Sequence, residues 1–144
     1  MASFLQVIDE AKDFVTNHEF INRFGVGPIE NINLTLSDDS KYPVLWIVPQ
    51  DVRILNNSIE YKFRFLIFDK DDTDDSLRNQ KLNDTLATAI DIVKYFSEDT
   101  RLEIEVTNTS NASPFEQQFV DYTVGWYLDL SLATDAQNNP CNIA

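Results

Sequence analysis

From Val120 to Leu132 every even position is apolar, running Val120, Tyr122, Val124, Trp126, Leu128, Leu130 and Leu132, while the odd positions read Asp121, Thr123, Gly125, Tyr127, Asp129 and Ser131. A two-residue period of that length puts one set of side chains on one face of a strand, whereas a helix would scatter them around its axis. The pattern predicts a long strand with one face sealed in a core. Gly125 interrupts the other face, where it marks a bulge or a close approach by a second backbone, from this chain or from a neighbouring subunit.

Upstream the period changes. Ser3 and Gln6 form a capping box, and Phe4, Ile8, Ala11 and Val15 then recur at helical spacing with Leu5 beside them. This first amphipathic helix continues or restarts through Phe20, Ile21 and Phe24, before Gly25, Gly27 and Pro28 end it. Ile32, Leu34 and Leu36 alternate as a first strand that breaks at Ser37-Asp38-Asp39-Ser40. Val44 to Val48 is a second apolar run; Pro43 and Pro49 bracket it, which predicts a short strand at an edge or a bend. After Ile54, Asn56-Asn57 suits a tight turn, and Ile59, Tyr61, Phe63, Phe65 and Ile67 form the long second arm of a hairpin. Leu82, Leu86, Ala89, Ile90, Val93 and Phe96 then make the stripe of a second amphipathic helix. Leu102, Ile104 and Val106 follow as a strand, Thr107 to Ser113 as a polar loop, and the long strand closes the domain.

The expected class is α+β, in the order α-β-β-β-α-β-β. One-faced alternation in the strands and two amphipathic helices imply an antiparallel or mixed β-sheet with both helices packed on one face. Residues 1–132 form a single domain and residues 133–144, which lack periodicity, an extended tail. At 144 residues the chain is long enough to bury a substantial core without a second domain.

Charge removes one class of partner. Twenty-four acidic residues against eleven basic ones give a formal net charge of -13, the wrong sign for holding a nucleic-acid backbone. Such acidity serves solubility or, functionally, an acidic face along which a polyanion slides without sticking. The first residues carry no basic leader, and no apolar run reaches the roughly 20 residues that cross a bilayer, so no membrane partner is expected. The single cysteine, Cys141, leaves no internal disulfide, and Asn108-Thr109-Ser110 and Asn111-Ala112-Ser113 read as loop composition.

No set of residues marks an active site, and neither catalysis, a metal nor another cofactor is expected. The acidic stretch Asp69-Lys70-Asp71-Asp72-Thr73-Asp74-Asp75 is a loop that caps the helix after it. Its spacing fails the calcium-loop test, because Asp74 stands where a sharp turn needs Gly and Gln80 where a bidentate Glu belongs. A solvated loop and a weak cation or basic-partner site both remain open. His18 is the only histidine and sits at a helix end, which disfavours a zinc site or a Cys-His nucleophile. Trp46 and Trp126 lie inside apolar strand runs and fit core packing better than a stacking platform.

One segment carries a family likeness. Pro114-Phe115, then Asp121-Tyr122-Thr123-Val124-Gly125-Trp126-Tyr127-Leu128-Asp129-Leu130, then Pro140-Cys141-Asn142, resembles the C-terminal signature of small neck and tail proteins of tailed bacteriophages, closest to those of phages infecting Bacteroidetes. The order of helices and strands is similar to the tail-terminator and tail-completion fold. The resemblance implies a virion structural protein: six or twelve copies closing into a ring at the head-tail junction or on the tail, next to portal, neck or tail proteins. DNA would pass through without sequence-specific binding. It implies assembly in the host cytoplasm and residence in the virion. Pro114, Phe115, Asp121, Gly125 and Trp126 are the motif or subunit-interface candidates, with Phe115 and the 107–118 loop as part of the contact. Asp69, Asp71, Asp72, Asp74 and Asp75 are candidates to face a lumen or a partner. The competing expectation is a non-virion acidic binding module, either an assembly chaperone or a nucleic-acid-mimicking regulator; its support is charge alone.

Overall fold

The alternation of Ile59, Tyr61, Phe63, Phe65 and Ile67 produces a 13-residue strand around which the sheet is built. The computed structural model describes residues 4–32, 42–71, 75–98, 104–118 and 122–135, and the backbone alone of residues 75, 76, 115–118, 122 and 135. In chain order the elements are α1 (Phe4–Thr16), β1 (Arg23–Val26), a 3-10 turn (Ile29–Asn31), β2 (Val44–Ile54), β3 (Ser58–Lys70), α2 (Asp75–Glu98), β4 (Glu105–Thr109), β5 (Ser113–Gln118) and β6 (Tyr122–Asp135). The six strands form one mixed sheet ordered β1-β2-β3-β6-β4, with β5 also paired to β6. β1 runs parallel to β2, and every other pair is antiparallel. The fold is therefore α+β, as the periodicities require.

Both helices cover one face. Val7, Ala11, Phe14 and Val15 of α1 and Ala89, Ile92 and Phe96 of α2 pack on Leu45, Ile47, Tyr61, Phe63, Phe65, Ile67, Leu128, Leu130 and Leu132. Aromatic edges interlock there, with Phe65 nearly perpendicular to Phe96 at 6.2 Å and Phe14 edge-on to Tyr95 at 5.3 Å. A smaller cluster of Ile32, Tyr42, Val44, Trp46, Leu66 and Phe68 covers part of the opposite face. On the odd face of β6 Thr123 and Ser131 are buried, and the half-buried Tyr127 packs against this second cluster.

The structure departs from the sequence expectation in several places. Residues 20–24 do not extend α1, because Phe24 and Val26 alternate in β1 beside Leu45 and Ile47. Gly25 between them leaves room for an indole: a Cβ there would lie 2.2 Å from the Trp46 ring. Gly27, at φ +141, accepts the Trp46 Nε1 hydrogen bond at 2.9 Å through its carbonyl. Ile32 is not in a strand; it follows the 3-10 turn with helical backbone and is buried, while Leu34 and Leu36 lie outside the described residues. β2 is neither short nor at an edge over Val44 to Ile47, where β1 and β3 flank it. It runs through Pro49 because β1 pairs no further than Ile47, so no outer ladder needs the missing N–H, and the register shifts between Pro49 and Val52 absorb the irregularity.

The second half differs too. On α2 the buried positions are Thr85, Thr88, Ala89, Ile92 and Phe96, whereas Ile90 is 48% exposed. The two threonines on this face are satisfied in place: the Thr85 hydroxyl donates to the Lys81 carbonyl at 2.7 Å and the Thr88 hydroxyl to the Asp84 carbonyl at 3.0 Å. The 107–118 segment is not a loop. β4 continues to Thr109, a connection covers Ser110 to Ala112, and β5 adds a third strand after α2, giving α-β-β-β-α-β-β-β. β6 runs to Asp135, past the expected tail boundary at 133.

Candidate functional site

The sheet gathers most of the motif residues into one ladder. Pro114 of β5 lies opposite Trp126 of β6 and Phe115 opposite Gly125, while on the other side of β6 the same two residues face Ile67 and Phe68 of β3. At Gly125 the β3 backbone leaves no room for a side chain: an added Cβ would stand 1.9 Å from the Ile67 carbonyl oxygen and 2.6 Å from the Phe68 Cα. The second backbone anticipated at this glycine therefore belongs to the same chain. Trp126, on the helix side, donates Nε1–H to the Leu82 carbonyl at 2.8 Å and ties α2 to the centre of the sheet. Gly125 and Trp126 thus build the fold, and Pro114 is exposed. Asp121 and the Phe115 side chain lie outside the described residues.

The acidic stretch is not a loop from end to end. Asp69 and Lys70 finish β3 opposite Val124 and Thr123, and Asp75 opens α2. Asp71 is half-buried and takes two hydrogen bonds from the Arg78 guanidinium, at 2.8 and 3.3 Å, while the Lys81 ammonium donates to the Lys70 carbonyl. These contacts fix the strand-to-helix corner; Asp72 and Asp74 lie outside the described residues. Among the described residues no three His, Cys, Asp or Glu side chains gather as a metal site would require. His18 lies just past α1, where its Nδ1 accepts the Phe20 N–H at 3.3 Å and its Nε2 meets Asp91 at 3.1 Å, bridging the two helices. Trp46 is buried, and its indole closes the second core cluster.

The surface features with contact potential lie elsewhere. Beyond Pro49 all of β2 is exposed, with Val52 at 52% and Ile54 at 81%, and Leu55 follows at the turn, where its N–H donates to the Ser58 carbonyl at 2.9 Å. A shallow apolar groove of about 320 Å³ runs between Leu86, Ile90 and Val93 of α2 and Thr109, Ala112 and Leu128. The far face of the arm is polar: Arg64 grips its cross-strand neighbour Asp129 at 2.8 and 3.2 Å and lies 4.9 Å over the Tyr127 ring. That hydrogen bond to Asp129 raises the Arg64 guanidinium above its ordinary value. Val52 and Ile54 pair with β3, and they and Leu55 beside Asn56-Asn57 are nevertheless exposed. Sequence reasoning did not single them out.

No family model matches the chain. No curated protein matches it either. No helix among the described residues is long and apolar enough to cross a membrane.

Proposed function

We propose that this chain is a virion structural protein, one subunit of a closed ring at the head-tail junction or tail of a tailed phage, where it forms part of the DNA conduit and performs no catalysis. The observation that carries the reading is the hairpin arm: an isolated monomer gains nothing by holding Val52, Ile54 and Leu55 in water at the tip of an ordered sheet. A ring subunit needs contact surface on two different sides, since its interface is heterologous and must close by rotation. The arm and the outer strand β4 lie on opposite sides of the sheet. The net charge of -13 supports a conduit wall that does not retain DNA, and the likeness carried by Asp121, Gly125 and Trp126, with Pro114 and Phe115, supports the phage setting.

Light scattering of the purified protein, with mass spectrometry of purified particles, tests this. The expected result is a mass that is a multiple of 16.6 kDa at high concentration and the protein's presence in virions. A monomer at every concentration, found in infected cytoplasm but missing from particles and binding a basic partner with steep salt dependence, would establish the acidic binding module instead.

A further inference from the structure

At the hairpin end of the sheet two outer edges carry no further strand among the described residues, and they match. β1 covers β2 only from Val44 to Ile47, so among the described residues no strand lies outside Val48 to Ile54. On the other side β4 is the outermost of the described strands. Following the register across the sheet, Val52 pairs with Tyr61, Tyr61 with Leu132 and Leu132 with Val106. The next row runs from Arg53 through Glu60 and Ala133 to Glu105. One row therefore ends in valine on both sides, and its neighbour ends in opposite charges. Three successive antiparallel steps leave β2 and β4 antiparallel to each other.

We infer that the β4 edge of a second copy of this chain adds to the β2 edge of the hairpin arm, head to tail, in the register that places Val52 against Val106 and Arg53 against Glu105. In that register Ile54 also falls opposite Ile104. The faces agree. Val52 and Ile54 share the helix side with their partners Tyr61 and Ile59, and Ile104 and Val106 pack on the helix-side cluster, so apolar side chains meet on that side and the charges meet on the other. Arg53 and Glu105 are exposed, and neither forms an ion pair among the described residues. Open strand edges offer backbone donors and acceptors to another strand. Each copy uses one edge of each kind, so copies add in sequence until the rotation closes. This contact rests on the ring reading and supplies its interface.

Charge reversal tests it, because both residues are exposed and the fold can be checked by circular dichroism. Arg53→Glu and Glu105→Arg should each weaken association by about fivefold per contact, and the double variant should recover it. An equimolar mixture of the two single variants should recover it as well, by alternating around the ring. In a Cys141→Ser background, oxidised Val52→Cys/Val106→Cys should give covalent chains longer than two copies, whereas Val52→Cys/Thr109→Cys, three residues out of register, should not. If the wild type assembles while the reversals have no effect and the in-register cysteines do not link, the edge pairing is wrong and the ring reading stands. A wild type that is monomeric at every concentration and absent from particles removes both.

Discussion

At the β1 end of the sheet both faces are covered, Leu45, Ile47, Phe65, Ile67 and Leu128 by the helices and Val44, Trp46, Leu66 and Phe68 by the smaller cluster. At the hairpin end β2 is exposed from Gln50 to Ile54, and its side chains are as apolar in part as those that are buried. The same two strands run through both regions. Along β2 stability therefore concentrates in the covered half, while the half beyond Pro49, held by its ladder to β3, leaves its side chains and outer edge available for contact. Substitutions should divide the same way: those at the covered end change unfolding, and those at the arm change association.

The largest effect is expected at Gly125. An alanine there must displace the Ile67 carbonyl and Phe68 Cα, which are backbone atoms of a central strand and cannot rotate away. Gly125→Ala should cost more than about 4 kcal/mol in urea unfolding, at the extreme of single substitutions. A loss below about 1 kcal/mol would show that the two strands can separate there without penalty. Gly25→Ala also creates a clash, at 2.2 Å from the Trp46 ring, but a side chain can yield where a backbone cannot. It should cost about 2 kcal/mol as the indole shifts and its bond to the Gly27 carbonyl lengthens, and Trp46 fluorescence should report the shift. Equal losses at the two glycines would erase the distinction between them.

Trp126 gives a smaller and more selective break. Trp126→Phe keeps a ring in the row between Pro114 and Ile67 but removes the N–H that reaches the Leu82 carbonyl. The expected cost is about 1 kcal/mol, the usual net worth of one such bond, with hydrogen exchange rising in the first turns of α2 more than in β3. Uniform exchange along the whole helix would mean that Trp126 packs without anchoring.

The elements that could be read from the chain are those whose side-chain period decides the matter locally. The hairpin is one, since Asn56-Asn57 and the odd-position run from Ile59 to Ile67 agree about it; α1 and β6 are others. β1 escaped because four residues with Gly25 among them and Gly27 after them carry no period, and what makes Arg23 to Val26 a strand is parallel pairing with residues about twenty positions away. β5 escaped because Ser113-Pro114 followed by Glu116-Gln117-Gln118 reads as a loop until β6 lies beside it. On α2 the threonines at 85 and 88 hid the buried face, since bonds to their own helix carbonyls were needed to make them compatible with a core. Gly125 was legible as a close approach, but Trp126's partner was not. The match between Arg53 and Glu105 depends on strand order, which no local pattern encodes.

The smallest effect on stability should come from the position that most changes behaviour. Ile54 is 81% exposed and ends β2 opposite Ile59, so the folded monomer loses little when its side chain is shortened and made polar. Ile54→Ser should leave unfolding free energy within about 0.5 kcal/mol of the wild type, the range of ordinary surface changes. Association should nevertheless fall, because the apolar area removed from water at that position in an assembly is lost at roughly 25 cal/mol per Å². Paired urea titration and light scattering on one preparation separate the two quantities. If Ile54→Ser unfolds early while its self-association is unchanged, the arm belongs to the core after all, and the two halves of the sheet are not different in kind.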